Sequence, residues 1–432
     1  MVTRRQLLMT LALAPALGLA VAGCGRRAAQ TVTRSDATRA KADPEARLAV
    51  EPALTAFTLD LYHQVAVADA GNIVCSPLSV AKALGMTVQG AAGTTATEML
   101  SVLHAQDAAA LAAGLNTVDL QLASRAGTFT DPAAVGEIAL AIANSLWGQA
   151  GLTWEPAFLD VLARDFGTGM LSTDFAAEPE ASRVLINDWV ADRTNDRIED
   201  LVPTGVIDQG TRLVLVNAVY FAAPWSEPFD PARTTSGPFT RLDGSVIDVA
   251  LMQASVPATF AQGAGWSAVD LAYADGRLAM AVIVPDPGRF TEIENSVDSA
   301  WLTSLLGALA GTDRQGRVSL SLPRWTTRSS LDLSQSLKAL GMPTAFSGAD
   351  FSRMTVDADL AIDAVQHQGF IAVDEAGTEA AAATAVVMAE VSAPADDHVL
   401  RVDRPFIYVI HDNTDPATAT PLFIGRVSDP TG

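Results

Sequence analysis

Apolar residues recur at regular spacing over most of the chain, beginning near residue 48. Leu54, Phe57, Leu61 and Val65 lie three or four positions apart, which predicts a helix over 48–65 with one face on a core. Similar patterns and start signals predict further helices over 77–90, 94–103, 156–166, 178–197 and 331–340.

Continuous apolar runs predict strands between these helices. The run R-L-V-L-V-N-A-V-Y-F at 212–221 is typical of a buried central strand, and within it Asn217 needs hydrogen-bond partners. Further strands are predicted over 138–147, 246–252, 266–271, 278–284, 317–322, 370–373, 406–410 and 422–427, with a helix end between 361 and 369. Helices and strands do not alternate regularly, which predicts an α+β fold.

The segment 375–392 is small and apolar, and its pattern fits three conformations. As a strand it would place Thr378, Ala380 and Ala382 on one face, while Glu379 would begin the opposite face and stay nearer water. Its alanines also favour a helix, and Gly377 favours a loop. Loop, helix and strand therefore all remain open for this segment.

Composition limits the possible partners. The 432 residues are 49% hydrophobic, which is ample for a sizeable core, and carry a formal charge of −21. Such a surface repels polyanions, so we expect no nucleic-acid partner and no heparin-type site.

The N-terminus has the features of an export signal. Arg4 and Arg5 precede an apolar stretch over 7–22, and Cys24 follows. This arrangement resembles a bacterial lipoprotein signal, which implies a signal peptide over 1–23, a lipid on Cys24 and contact with a membrane only through that lipid. An ordinary secretory signal is the alternative. The polar residues that follow predict a flexible tether over 24–47, so we expect an exported protein, either a cell-envelope lipoprotein facing outside or a secreted one.

The sequence argues against an enzyme. It contains no G-x-S-x-G motif and no H-E-x-x-H spacing among its five histidines, so no catalytic residue, metal site or cofactor is predicted. Cys75 lies in an apolar run and is expected to be a buried, inert thiol without a disulfide partner.

Seven short motifs occur in order between residues 72 and 427. They are N-I-V-C-S-P-L-S (72–79), I-N-D-W-V (186–190), L-V-N-A-V-Y-F (215–221), P-W-S-E-P-F (224–229), D-E-A-G-T-E-A-A-A-A (374–383), R-P-F-I-Y (404–408) and P-L-F-I-G-R-V (421–427). Together they resemble the serpins. The resemblance implies one domain over 48–432 with three β-sheets, eight to nine helices and an exposed reactive-centre loop at about 375–403.

The resemblance also implies a function. A serpin is a monomeric suicide inhibitor: a serine protease cuts the loop, and the loop then inserts as a strand into the largest sheet with the protease covalently attached. The small residues after Gly377 agree with an inhibitor, because a bulky inward residue would stall insertion. The alternatives are a non-inhibitory binding protein of the same fold and an inhibitor directed mainly at cysteine proteases.

Individual roles follow from the matched motifs. The hinge of the loop would comprise Glu375, Gly377, Thr378, Glu379, Ala380, Ala381, Ala382 and Ala383. The polar cluster beneath the central strands, called the shutter, would comprise Ser76, Ser79, Asn217 and His367. Trp225 would mark the breach, the end of the sheet where insertion starts.

The resemblance implies a reactive bond at Val391-Ser392, when residues are counted from the hinge as in serpins. A small β-branched residue suits a shallow apolar specificity pocket, which favours an elastase-like target. The far side of the loop is longer than usual and contains Asp396, Asp397 and His398, so a bond between Met388 and Ala393 remains an alternative. The physiological protease does not follow from the sequence.

Overall fold

The computed structural model describes residues 29–129, 136–310, 316–379, 396–415 and 419–431. These residues contain nine α-helices, α1 (Pro44–Ala68), α2 (Pro77–Val88), α3 (Gly93–Val102), α4 (Ala108–Ala123), α5 (Pro156–Phe166), α6 (Pro179–Arg193), α7 (Phe290–Ser296), α8 (Ser299–Leu309) and α9 (Ser334–Leu340). Within the described ranges, none of these helices is long and apolar enough to cross a membrane.

The largest sheet has eight strands in the described part of the chain. They are β1 (Thr31–Thr33), β3 (Gly127–Phe129), β4 (Gly136–Gln149), β5 (Met170–Thr173), β6 (Leu213–Pro224), β13 (Trp325–Asp332), β14 (Ala364–Val373) and β15 (Gly377–Thr378). The order is β1-β5-β4-β6-β15-β14-β13, with β3 paired to β4. Every residue of β6 is buried, as its apolar run predicts.

Two smaller sheets complete the fold. Their strands are β2 (Ile73–Cys75), β7 (Thr235–Thr240), β8 (Val246–Pro257), β9 (Thr259–Gly263), β10 (Trp266–Ala272), β11 (Leu278–Pro285), β12 (Arg317–Pro323), β16 (His398–Arg401), β17 (Phe406–Asp412) and β18 (Pro421–Val427). One sheet has the order β2-β18-β17-β11-β10-β9, and the other has the order β16-β12-β8-β7. Three sheets and nine described helices confirm the predicted α+β class.

Local signals account for several helix ends. Asp43 accepts hydrogen bonds from the first amides of α1, and Ser76 caps α2 ahead of Pro77. Helix α5 has the predicted bounds because Pro156 starts it and Gly167, in the left-handed conformation, ends it.

The segment 29–47 differs from the predicted tether. Thr31–Thr33 pair antiparallel with Met170–Ser172 at the edge of the main sheet, and Arg39 forms an ion pair with Asp119. The backbone carbonyls of Ala40 and Lys41 accept hydrogen bonds from the Asn116 amide. Sheet pairing and side-chain contacts therefore hold this part of the chain to the body, and α1 starts at Pro44, before the predicted boundary.

Two further predictions are corrected. The helix end expected between 361 and 369 is part of strand β14, whose backbone pairs with β13 and β6 on its two sides. The helix expected over 331–340 begins at Ser334, since Leu331 and Asp332 belong to strand β13.

Candidate functional site

The start of the predicted loop lies inside the main sheet. Gly377 and Thr378 form β15, which pairs antiparallel with Pro224 and Ala223 of β6 and with Val373 of β14. Further along, β6 and β14 pair directly with each other, from the pair of Tyr220 and Phe370 to the pair of Val214 and Ala364. The sheet is thus parted at one end by two residues of the hinge and closed beyond them.

Gly377 makes this close approach possible. A Cβ atom on residue 377 would lie 2.2 Å from the carbonyl oxygen of Ala223 and 2.6 Å from the Cα atom of Pro224. Both neighbours are backbone atoms that cannot move aside at low cost, so any side chain here would push the hinge out of the sheet.

Glu375 anchors the chain just before β15. Its carboxylate accepts a 2.7 Å hydrogen bond from Arg324 Nε and a further one from the Thr234 hydroxyl, and its carbonyl accepts from the Phe229 amide at 2.9 Å. Burial alone would raise the pKa of Glu375, but Arg324 and Thr234 outweigh burial and lower it. The hinge is therefore fixed at its first residue by charge-assisted hydrogen bonds.

Trp225, the predicted breach residue, contacts the backbone just before β15. Its indole Nε1 donates to the Asp374 carbonyl at 3.0 Å, and its amide donates to the Ala376 carbonyl at 2.9 Å. Its ring stacks on Tyr273 with a centroid distance of 4.7 Å and an interplanar angle of 10°. The Tyr273 hydroxyl lies 2.8 Å from the Thr378 hydroxyl. Sequence reasoning missed Tyr273, which follows strand β10 and has no distinguishing local pattern.

Glu379 turns the chain away from the sheet. It has a positive φ of 45°, and its amide donates to the Ala372 carbonyl at 2.7 Å. Its carboxylate pairs with Arg197 Nε at 2.5 Å and is only 12% exposed, in contrast to the expectation that it stays nearer water. Burial raises the pKa of this carboxyl despite the opposing effect of Arg197.

His367 is fully buried between α2 and the centre of the main sheet. Its Nε2 accepts a 3.1 Å hydrogen bond from the Ser76 amide, so its Nδ1 is the atom that donates to Asn217 Oδ1. The Ser76 hydroxyl donates to the Leu422 carbonyl at 2.7 Å. Burial lowers the pKa of His367 to about 4, and the ring is neutral at physiological pH.

The remaining shutter residues extend the same network. Asn217 Nδ2 donates at 2.6 Å to both Ser79 Oγ and Asn144 Oδ1, and Asn144 Nδ2 donates to the Ser79 carbonyl at 2.9 Å. The structure thus brings together all four predicted shutter residues and adds Asn144, which faces Asn217 across strands β4 and β6. The argument that singled out Asn217, an amide in an apolar strand, would also have found Asn144.

The far side of the loop ends earlier than predicted. The Asp397 amide donates to the Arg317 carbonyl at 2.9 Å, and the Arg317 amide donates to Asp397 Oδ2 at 3.0 Å. His398 then begins β16, which pairs parallel with β12, and its ring stacks on Phe260 at 4.2 Å. Residues 398–401 are therefore a strand, because the exposed edge of β12 offers backbone partners.

The remaining predicted residues are not part of the hinge or the shutter, or they lie outside the described residues. Cys75 is fully buried, and burial raises the pKa of its thiol, as expected for an inert cysteine. Cys24, Ala380–Ala383, Val391 and Ser392 lie outside the described residues. Within the described ranges, no group of three or more His, Cys, Asp or Glu side chains has the arrangement of a metal site.

Comparison with known proteins agrees with this geometry. The profile of the family described as serpin (serine protease inhibitor) matches residues 52–430. An uncharacterized serpin-like protein of Thermococcus kodakarensis is 34% identical over 88% of this chain and 85% of its own. A leukocyte elastase inhibitor of Sus scrofa is 31% identical over 87% of this chain and 98% of its own.

Solved structures show the same architecture. The native state of the thermophilic serpin tengpin superposes with a TM-score of 0.78 at 25% identity, covering 93% of this chain and all of that one. The three sheets and the matched length agree with that fold. The chain therefore belongs to the serpin family.

Proposed function

We propose that this protein is an irreversible suicide inhibitor of serine proteases with elastase-like specificity. The observation that supports this proposal most is the position of Gly377 and Thr378 between β6 and β14. The first two residues of an inserted strand are already in place, and the residues that follow Glu379, Ala380–Ala383 and Thr384, are small.

The chemistry would proceed as follows. The serine hydroxyl of the protease attacks the Val391 carbonyl, and the bond to Ser392 breaks. Val391 is then an ester on the protease serine, and the amine of Ser392 leaves with a proton. Once cut, the segment 379–391 is free to extend β15 between β6 and β14.

Extension of the strand carries the protease along the sheet. Thirteen residues at ~3.3 Å each correspond to a displacement of about 43 Å. Tension at the end of that path pulls the catalytic serine away from its histidine and oxyanion hole, which hydrolysis of the ester requires. The acyl-enzyme therefore persists.

Backbone pairing supplies the driving force. A net gain of ~0.5–1.5 kcal/mol per hydrogen bond over about 13 residues amounts to roughly 6–20 kcal/mol before ordering costs. That amount rivals the whole stability of a typical domain, ~5–15 kcal/mol. The intact protein is then held by a kinetic barrier, and it is not in its lowest free-energy state.

The shutter network is the natural origin of that barrier. His367 on β14 and Asn217 on β6 face each other in the closed part of the sheet, and each is bonded to α2 or its cap. Strands β6 and β14 cannot separate along their length until the contact between these two side chains is broken. Its strength sets how readily the sheet opens.

Val391 suggests the class of target. A shallow apolar pocket accepts valine, and one similar protein is named a leukocyte elastase inhibitor. We also propose that the protein is an exported monomer, anchored through a lipid on Cys24 or secreted.

The test is incubation with pancreatic elastase. The expected result is an adduct of both proteins that survives boiling in detergent, with Val391 at the ester and Ser392 as the new N-terminus by mass spectrometry. Elastase with its serine blocked is the control and should form no adduct. A chain that is only nicked would indicate a non-inhibitory binding protein, and an adduct with papain alone would indicate a cysteine-protease inhibitor.

A further inference from the structure

Arg197 contacts both the hinge and strand β13 of the main sheet. It lies in the connection between α6 and β6, and its guanidinium pairs with the Glu379 carboxylate at 2.5 Å. Its carbonyl accepts a 2.9 Å hydrogen bond from Arg328 on β13, whose guanidinium lies 4.9 Å from the Phe370 ring on β14. Arg197 thus connects the hinge to strands on the far side of the gap that the loop must enter.

Glu379 is the residue where the inserted strand stops. Thr378 pairs with both β6 and β14, whereas Glu379 has a φ of +45°, far from the roughly −120° to −140° of a strand. A positive φ is unfavourable for glutamate, so a specific interaction must compensate for it. Two contacts compensate for it: the hydrogen bond from the Glu379 amide to the Ala372 carbonyl, and the ion pair of its side chain with Arg197.

Arg197 is the main electrostatic support of the Glu379 carboxylate in this position. The side chain is mostly buried, and among the described residues its Oε2 atom has no hydrogen-bond partner. The Tyr220 hydroxyl contacts the same guanidinium, and Arg328 is the second positive charge that acts on Glu379. Without Arg197, the turn at Glu379 would retain its backbone strain and lose its main electrostatic support.

For the strand to continue beyond Thr378, two changes must occur at Glu379. Its φ must become negative, and its carboxylate must leave Arg197. Both changes precede any pairing by the residues that follow. The ion pair therefore opposes every further step of insertion, by the cut loop and by the intact loop alike.

We propose that the Arg197–Glu379 ion pair is the stop that limits the intact loop to two inserted residues, which makes Arg197 a positioning residue for insertion. The inference deepens the proposed function and rests on it. Its consequence, a slower conversion of the uncut protein to the inserted form, can be measured without any protease.

The experiment heats intact protein below its unfolding transition and follows the appearance of a heat-resistant, uncleaved form by calorimetry. A partly exposed ion pair corresponds to a rate change of about two- to fivefold, so Arg197→Ala is expected to convert about two- to fivefold faster. Arg193→Ala is the matched control, because Arg193 lies on the neighbouring helix and its guanidinium covers Trp189 at 4.0 Å. It should convert at the unmodified rate.

A double-mutant cycle separates the stop from general weakening of the fold. Glu379→Gln should accelerate conversion as Arg197→Ala does, and the two together should be no faster than either alone. Exchanging the charges, with Arg197→Glu and Glu379→Arg in one chain, should restore part of the slow rate. Equal rates in all variants, slower conversion in Arg197→Ala, or additive effects would overturn the proposal. Absence of elastase inhibition with these rates as expected would instead refute only the proposed function.

Discussion

The hydroxyl groups of Tyr273 and Thr378 lie 2.8 Å apart, and both side chains are fully buried at the parted end of the main sheet. Tyr273 is in turn stacked on Trp225, which holds the backbone of the hinge. The Thr378 side chain in β15 is therefore bonded to one member of the stacked pair of Tyr273 and Trp225.

Removal of the Tyr273 hydroxyl tests this relationship. Tyr273→Phe keeps the stack on Trp225 and leaves the buried Thr378 hydroxyl without its partner, so the free energy of unfolding should fall by ~1 kcal/mol. Urea unfolding measures the change. In a Thr378→Val background the same substitution should cost little, and an undiminished cost there would show that the hydrogen bond is not the cause.

Under the proposed function, a charge at position 378 should turn inhibition of elastase into simple cleavage of the loop. Thr378 is fully buried between β6 and β14, and an arginine cannot be accommodated there without expelling the hinge. Thr378→Arg should therefore be cleaved by elastase and form little stable adduct, as measured by the stoichiometry of inhibition. Val399→Arg, at a 76% exposed position beyond the loop, is the control and should inhibit normally. Unchanged inhibition by Thr378→Arg would contradict loop insertion.

Cleavage of the loop should increase heat resistance. If the cut loop extends β15, the added backbone pairing of roughly 6–20 kcal/mol should raise the unfolding temperature by more than ~10 °C. Scanning calorimetry before and after limited proteolysis measures the shift. An unchanged unfolding temperature would mean that the loop does not insert.

Acid should weaken the intact protein through His367. Its pKa is about 4 in the folded protein and ~6.5 when unfolded, so the unfolded state binds the proton first as pH falls. The contribution of the buried, neutral His367 to the free energy of unfolding is fully present above pH ~6.5. Up to ~3 kcal/mol of the free energy of unfolding is lost as the pH falls from ~6.5 to 4. Thermal midpoints across this range should fall less steeply in His367→Gln than in the unmodified protein.

Arg39 should contribute to stability from outside the predicted domain. Its guanidinium bonds to Asn116 and Asp119, and Asp119 also pairs with Lys82 on α2. Burial would raise the pKa of Asp119, but Lys82 and Arg39 outweigh burial and lower it. Arg39→Ala should lower the free energy of unfolding by ~1 kcal/mol, measured in urea, whereas Arg34→Ala on the same segment should have little effect.

The sequence predicts elements whose limits are set locally. Helix α5 has the predicted bounds because Pro156 and Gly167 mark its ends. Strand β6 is predicted correctly because a long apolar run is typical of a strand that is buried on both faces. Strand β1 has no such signal, since three exposed residues become a strand only through pairing with Met170–Ser172. Helix α4 is not predicted from the sequence, because its own small and apolar residues occur on most of its faces and form no clear apolar stripe.

The residues of the candidate site also fall into two groups: those that a local motif indicates and those that only the tertiary structure brings into contact. The four predicted shutter residues are linked to one another by hydrogen bonds, and Trp225 bonds to the backbone just before β15, at the other position that the motifs indicate. Tyr273 and Arg197 acquire their contacts only when distant segments fold together, so no local pattern marks them. The turn at Glu379 also depends on tertiary structure, because it is stabilised by an arginine far away in the sequence.

The strands that follow the proposed cleavage site have one further consequence. β16, β17 and β18 lie C-terminal to Val391, and β17 lies in the interior of its sheet, between β11 and β18. A broken backbone at that site would leave two polypeptides that share one hydrophobic interior. We expect them to elute as a single particle in gel filtration and to separate only in denaturant. Cleavage of the backbone at this site would then release no fragment.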